Sequence, residues 1–431
     1  MRKCLAATAA VALLSAAGAA SAGNFVVIGK GKSLGDSFAA DVEAAGGRVV
    51  AAYPFGVAVV SSDDPGFSLA GRTVVADVGF DSVLPEVQVS TDAGYPPNSG
   101  DDDFFFDLQW GHNYVGAQEA WNSGNTGAGA RVAVLDGGFD LDHPDLAPNI
   151  NLALSADFTG EGLQYGLPDT FSHGTHVAGT IAAADNGFGT IGVAPGAELV
   201  LVKVLGDAGS GSFADVIAGI YHAAMVDADV INMSLGTIIP RTSDPAGVSA
   251  LDNAVSQAVA FAFQQGTTTI VSAGNAASDL DGDGDLVRFN STARHSIEIS
   301  ALTTLNWASD PANATLVPAS YTNYGTSGVT FSAPGGSVDY PGNEGCVVAG
   351  LARPCWVFDL VFSTGNGGWY WSAGTSMAAP HAAGVAALII AENGGDMHPA
   401  QVERELRARG IDMGKRGRDD YYGHGLVNSG Y

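Results

Sequence analysis

The chain of 431 residues is too long for one average domain and long enough for a large hydrophobic core plus an accessory unit. It carries 18 Lys plus Arg against 45 Asp plus Glu, a net charge of −27 that repels phosphate backbones and argues against nucleic acid as a partner. With 46% apolar residues, 59 Gly and only 15% charged residues, it suits a compact α/β protein with many tight turns better than a helical bundle.

At the amino end, Arg2 and Lys3 precede an apolar stretch from about Leu5 to Leu14 and a small-residue end at Ala20, Ser21 and Ala22. This is the pattern of a signal peptide over residues 1–22. The apolar run is too short to span a bilayer, and no later stretch is long and apolar enough to do so. A soluble protein secreted to an extracellular or periplasmic space, with no membrane partner, is therefore expected. Residues 23–91 read as a small α+β unit. Phe25 to Ile28 is strand-like, Leu34 to Ala45 helical, Gly46 and Gly47 a turn, and Arg48 to Ala52 and Gly56 to Val60 strand-like. A helical or loop segment precedes Thr73 to Val78. Residues 92–103 contain Pro96, Pro97, Ser99, Gly100 and three successive Asp, the composition of an exposed flexible linker open to cleavage.

From residue 104 to 431, strand-like runs alternate with helical ones. The strands are Ala130 to Leu135, Glu198 to Val204, Asp229 to Met233, Thr268 to Ser272 and Ile297 to Ala301, with helical spacing over Phe213 to Met225 and Leu251 to Gln265. Apolar strands separated by helices predict an α/β fold with a mostly parallel sheet covered by helices on both faces. Such sheets place their sites at the carboxyl ends of the strands. Cys4 lies in the signal peptide, which leaves Cys346 and Cys355 as an even pair able to close a short surface loop in an oxidising compartment. Two free thiols are the alternative.

Three segments carry reactive side chains beside small residues: Val132 to Gly138 with Asp136, Ser172 to Thr180 with His173, and Gly374 to His381 with Ser376. A serine hydroxyl needs a histidine to take its proton, and that imidazole needs a buried carboxylate to fix its tautomer and stabilise its charged form. The chain order Asp, His, Ser is the order of subtilisin, unlike that of chymotrypsin or the α/β-hydrolases. The motifs DGGFDLDHPDL, SHGTHVAGT and GTSMAAPHAAG resemble those of the subtilase family of serine proteases, a likeness running from about Leu108 to Asn428. The resemblance implies a secreted serine endopeptidase, acting through an acyl-enzyme on Ser376 with Asp136 and His173 completing the triad. It also implies a subtilisin-like catalytic domain over residues 104–431, acting as a monomer on protein or peptide substrates.

The same resemblance makes Asn275 the oxyanion-hole donor together with the Ser376 N–H. It places extended substrate against Gly209, Ser210 and Gly211 and against Ser234, Leu235 and Gly236, with Ala273 and Gly274 lining an uncharged specificity pocket that favours apolar residues. Residues 23–91 resemble an inhibitory, ferredoxin-like propeptide, so a zymogen that cuts itself between about Gln88 and Asp103 is expected, with its own propeptide as inhibitor. Structural calcium is the implied cofactor, carried over to Gln109, Asp145, Asn186 and the carbonyls of Ala184, Phe188 and Thr190. From spacing alone, Asp279, Asp281, Asp283 and Asp285 with Gly284 are a second candidate calcium loop, incomplete because Asn290 stands where a bidentate Glu belongs, and an acidic solvated turn is the alternative.

Two other readings are weaker. His173 and His176 stand three apart on a predicted helix, a spacing that can share a metal, yet no third or fourth ligand lies nearby. An esterase uses the same nucleophile chemistry, but the sequence around Ser376 lacks the second Gly of a nucleophile elbow.

Overall fold

The computed structural model describes residues 23–81, 89–90, 101–168, 170–240, 244–282, 286–289, 293–305, 307–311, 313–339 and 344–431. The signal peptide, most of the acidic linker, and Asp283, Asp285 and Asn290 lie outside the described residues. Among the described residues no helix is long and apolar enough to cross a membrane.

The amino-terminal unit consists of β1 (Asn24–Ile28), α1 (Phe38–Ala44), β2 (Gly47–Ala52), β3 (Val57–Ser62) and β4 (Thr73–Ala76). The strands form one antiparallel sheet in the order β2-β3-β1-β4. Alternation along β1 and β3 divides two cores. Phe25, Val27, Ala58 and Val60 pack under α1 with Phe38 and Val42, whereas Val26, Ile28, Val57 and Val59 face the body of the protein. The helix is shorter than the periodicity predicts, because residues 34 and 35 are irregular and residues 36 and 37 form a turn before Phe38. The stretch between β3 and β4 is loop, so among the described residues this unit has one helix rather than the two of a full ferredoxin-like fold. Two short strands follow, β5 (Gly79–Asp81) and β6 (Val89–Ser90).

The body opens with α2 (Trp110–Tyr114) and α3 (Ala117–Asn122). It continues through β7 (Arg131–Asp136), β8 (Ala156–Asp157), α4 (His173–Ala182), β9 (Glu198–Lys203), β10 (Ser210–Ser212) and α5 (Phe213–Met225). Next come β11 (Val230–Met233), β12 (Thr237–Pro240), α6 (Pro245–Gln265), β13 (Thr268–Ser272), β14 (Leu286–Phe289) and β15 (Ser296–Leu305). The remainder is β16 (Thr315–Pro318), β17 (Phe331–Pro334), β18 (Gly345–Val348), β19 (Leu351–Pro354), β20 (Val361–Gly365), β21 (Gly368–Ser372), α7 (Thr375–Glu392) and α8 (Pro399–Arg409).

The main sheet runs β16-β15-β13-β11-β7-β9-β8, with β17 also on β15, and every pairing is parallel except that of β16. Successive residues of each central strand serve opposite faces. Val132, Val134, Leu199 and Leu201 pack against α4 and α7, while Ala133, Leu135, Val200 and Val202 pack against α5 and α6. This confirms the predicted parallel sheet with helices on both faces. Helix α6 begins before the predicted Leu251, because Asp244 accepts the Gly247 N–H at 3.0 Å and Pro245 opens the first turn. It ends at Gly266, whose φ of 101° suits glycine.

A third core gathers Phe105, Trp110, Trp307, Phe358, Phe362 and Trp371 around the β18–β19 and β20–β21 hairpins. Cys346 and Cys355 are disulfide-bonded there, closing the short loop that their even pairing suggested.

Candidate active site

The carboxyl ends of β7, β11 and β13 meet the amino ends of α4 and α7, and the reactive side chains stand at that junction. Asp136 is the last residue of β7 and is buried. Its Oδ1 lies 2.8 Å from His173 Nδ1 and accepts the Gly137 N–H at 2.7 Å. His173 is the first residue of α4, whose N-cap Ser172 accepts the Thr175 N–H at 3.2 Å and donates to the Gly138 carbonyl at 2.8 Å. That second bond ties the helix start to the end of β7 and brings imidazole to carboxylate. A Cβ on Gly174 would sit 2.8 Å from the Phe139 ring, so glycine permits the approach.

Ser376 is the second residue of α7 and is buried. Its hydroxyl donates to the Ser234 carbonyl at 3.0 Å, while the Ser234 hydroxyl donates to the Ser376 carbonyl at 2.8 Å. Asn275 follows β13. Its Oδ1 accepts from the N–H and hydroxyl of Thr375 at 2.9 and 2.7 Å, which leaves Nδ2 buried with no hydrogen-bond partner among the described residues. A buried amide held by its oxygen and free at its nitrogen is a preorganised donor for developing negative charge. Asn323 latches this loop, donating to the Ala273 carbonyl at 2.7 Å and accepting the Ala276 and Ser278 N–H groups. Gly274 has φ 99°, and a Cβ there would meet Asn323 Nδ2 at 2.5 Å. Sequence reasoning missed Asn323, Thr375 and the Ser234 hydroxyl, since each acts on a residue far away in the chain.

Of the predicted substrate-binding residues, Ser210 and Gly211 lie on β10, which pairs antiparallel with β5: Ser210 opposite Asp81, Gly211 opposite Phe80 and Ser212 opposite Gly79. Gly209 adjoins this strand with φ 83°. Ser234, Leu235 and Gly236 follow β11, and Ala273 and Gly274 follow β13. The chain's own residues 79–81 thus already pair with the strand expected to hold substrate.

Among the predicted calcium ligands, Asp145 is fully buried. Its Oδ2 accepts from the Thr190 N–H, the Thr190 hydroxyl and Trp369 Nε1 at 2.8, 3.1 and 2.7 Å, and its Oδ1 is buried without a partner among the described residues. Gln109 is otherwise engaged: its Nε2 donates to the Ile191 carbonyl at 2.9 Å and its Oε1 accepts the Ile191 N–H at 3.0 Å. Sequence reasoning missed Asp103, whose Oδ1 accepts the Asn186 and Phe188 N–H groups at 3.4 and 3.2 Å and whose Oδ2 is buried without a partner among the described residues. Burial and then Asp101 push the Asp103 carboxyl up to about 8. Carboxylate oxygens of Asp101, Asp102 and Asp103 all lie within 4.8 Å of one another. The unpartnered buried oxygens of Asp103 and Asp145 are of the kind that a hard divalent cation takes as ligands. In the second predicted loop, Asp279 accepts the Asp281 N–H at 2.9 Å and Asp281 accepts the Ser327 N–H at 2.9 Å.

His176 is a packed core histidine. It is fully buried, its Nε2 lies 3.1 Å from the Tyr370 carbonyl, and burial holds its pKa down at about 3.

The model of the subtilase family matches residues 127–425. Subtilisin NAT of Bacillus subtilis subsp. natto is 35% identical over 327 residues, covering 74% of this chain and 70% of the relative. A subtilisin of Bacillus pumilus is 35% identical over the same length, covering 74% of this chain and 97% of the relative. Among solved structures, a protease from Pseudoalteromonas arctica matches with TM-score 0.59 at 29% identity over 77% of this chain and 98% of the other. The epidermin leader peptide processing serine protease of Staphylococcus aureus shares the fold, with TM-score 0.73 at 20% identity over 94% of this chain and 96% of the other. The chain belongs to the subtilase family and is a subtilisin-like serine endopeptidase.

Proposed function

We propose that Ser376 is the nucleophile, His173 the general base and Asp136 the carboxylate that orients the imidazole and balances its charge. The observation that carries this is the 2.8 Å contact of His173 Nδ1 with a buried Asp136, at the mouth where α7 delivers Ser376. To attack, the Ser376 hydroxyl leaves the Ser234 carbonyl and turns about χ1 to donate to His173. The proton passes to the imidazole as oxygen bonds the scissile carbonyl carbon. The resulting oxyanion takes hydrogen bonds from Asn275 Nδ2 and the Ser376 N–H, with the amino end of α7 adding favourable field. His173 then protonates the leaving amine, and water releases the acyl group by the same route.

The amino-terminal unit is read as an inhibitory propeptide. Its second face, with Tyr53 and Phe55, packs on α5 and α6, and β5 occupies the edge of β10 that substrate needs. Once cut beyond β5, this unit is a product-like inhibitor that must leave. Residues 1–22 direct secretion, and cleavage falls between about Gln88 and Asp103 by the cell-free chain itself.

Asp145, Asp103 and the loop from Ala184 to Thr190 would hold structural calcium, which would supply charge neutralisation and loop rigidity rather than chemistry. Asn186 and the carbonyls of Ala184, Phe188 and Thr190 complete that set, while Asp279 and Asp281 are weaker candidates.

The test is active-site labelling of purified enzyme. A fluorophosphonate should modify Ser376, and Ser376→Ala should abolish labelling, casein hydrolysis and removal of the amino-terminal unit. Labelling elsewhere, or maturation of the alanine variant free of other proteases, overturns the assignment.

A further inference from the structure

Lys203 closes β9 in parallel register with Asp136 on β7. It is fully buried, and its ammonium lies between two carboxylates, 2.6 Å from Asp207 Oδ1 and 3.3 Å from Glu161 Oε2. A buried ion pair costs about as much in desolvation as it returns in attraction, so it adds little stability. It does fix geometry here, because each partner belongs to a different loop.

Asp207 lies in the turn 206–209, closed by the Gly209 N–H donating to the Gly206 carbonyl at 2.8 Å, and this turn leads into β10. The Gly206 N–H in turn donates to the Ser210 carbonyl at 2.7 Å. Asp207 Oδ2 accepts the Gly166 N–H at 2.7 Å, and the Asp207 N–H donates to Glu161 Oε2 at 2.8 Å. Glu161 and Gly166 belong to the loop 158–167 that follows β8. That loop is stitched to the segment after Asp136: the Phe139 N–H donates to the Leu163 carbonyl at 3.0 Å, and the Tyr165 N–H to the Phe139 carbonyl at 2.8 Å. The three pieces touch so closely that a Cβ on Gly138 would collide with Asp207 Oδ1, and one on Gly206 would lie 2.7 Å from Glu161 Oε1. One ammonium therefore sits where the segment of the catalytic carboxylate, the loop 158–167 and the turn before β10 converge.

We propose that Lys203 is a positioning residue for substrate: through Asp207 and Glu161 it sets the turn 206–209, and with it the β10 edge, in a fixed place relative to Asp136 before a peptide arrives. The inference rests on the reading of β10 as the strand for the acyl part and of Ser376 as nucleophile. Without the ammonium, Asp207 and Glu161 face each other as like charges with no cation between them, and the turn loosens. It is then ordered only when a peptide pairs with β10. That cost falls on the binding of peptides long enough to reach the edge, not on the chemistry at Ser376.

The test uses matured enzyme, with competent sites counted by fluorophosphonate so that any misfolded fraction drops out. Lys203→Met keeps the aliphatic stem and removes the charge. For a peptide anilide long enough on the amino side of the cut to pair with β10, KM should rise about tenfold while kcat falls less than about twofold. For a single-residue anilide, KM should rise far less. Glu161→Gln in the Lys203→Met background removes the repulsion and should recover most of the lost KM. Should Lys203→Met fail to fold, Glu161→Ala, at a half-exposed side chain, removes one partner of the ammonium and the acceptor of the Asp207 N–H. It should raise KM for the long substrate about threefold. A loss in kcat rather than KM, equal losses on long and short substrates, no recovery by Glu161→Gln, or an unchanged KM in the folded variants overturns the proposal. A parent enzyme that treats long and short substrates alike would instead refute the β10 reading and the inference with it, and a parent that fluorophosphonate does not label would refute the reading of Ser376.

Discussion

The Ser234 hydroxyl donates at 2.8 Å to the carbonyl of Ser376, the one carbonyl in the first turn of α7 that Pro380, lacking an N–H, cannot serve. The nucleophile's helix thus borrows from β11's end the bond that its own proline withholds. Ser234→Ala should leave that buried carbonyl unsatisfied and cost about 1–3 kcal/mol of stability, read as a lower Tm, with kcat falling more than KM rises. Adding Pro380→Ala supplies the missing helical N–H and should recover part of the loss. Strict additivity in this double-mutant cycle would show the two groups do not share the carbonyl.

Asn275 offers its free Nδ2 only because Thr375 holds its Oδ1. Asn275→Leu should lower kcat by about 10²–10³ with KM little changed. Thr375→Val, which removes the side-chain bond while retaining the N–H, should lower kcat less by loosening the amide's orientation. An unchanged kcat in the Asn275 variant would place the oxyanion elsewhere.

Docking of the amino-terminal unit centres on aromatic rings: Phe55 lies 5.3 Å from both Tyr53 and Phe261 between ring centroids, and Tyr53 5.2 Å from Tyr221. Phe55→Ala in the Ser376→Ala background should cost about 3–5 kcal/mol. The expected readout is faster amide exchange across β1–β4 than in the parent.

Asp77 gives this interface a pH dependence. It accepts the Ala214 N–H at 3.4 Å at the start of α5, and burial pushes its carboxyl up from 3.8 to about 6, with Asp215 adding to the rise. A raised value in the docked state means that this state binds the proton more tightly. Asp77's contribution therefore favours docking most below the ordinary carboxylate value of 3.8, weakens as pH rises, and levels off above about 6. In the uncleaved Ser376→Ala chain, the amino-terminal unit should be clipped more readily by an added protease near neutrality than at about pH 5, and Asp77→Asn should flatten the difference. Greater protection near neutrality would reverse the sign and refute the account.

For calcium, a chelator should lower the Tm of the parent, and Asp145→Asn should lower it without chelator and blunt the further drop. Gln109→Ala should leave chelator sensitivity intact, because its amide already bonds Ile191 at both ends. Equal Tm with and without chelator in the parent would remove the ion from the description.

Short-range pattern was enough for the sheet and for the chemistry. The apolar runs of β7, β9, β11 and β13 bury both faces, so each reads as a strand without reference to the others, and the segments around Asp136, His173 and Ser376 carry their residue types locally. Tertiary structure alone decided which partner each polar group takes. Gln109 went to Ile191, Asp103 turned to the loop at Asn186 and Phe188, Asn323 closed on Ala273, and β21 accepted residues 89–90. Periodicity along the chain records which face of an element is apolar. A hydrogen bond between residues tens to hundreds of positions apart depends on how those faces stack, and that is settled only once the layers have packed.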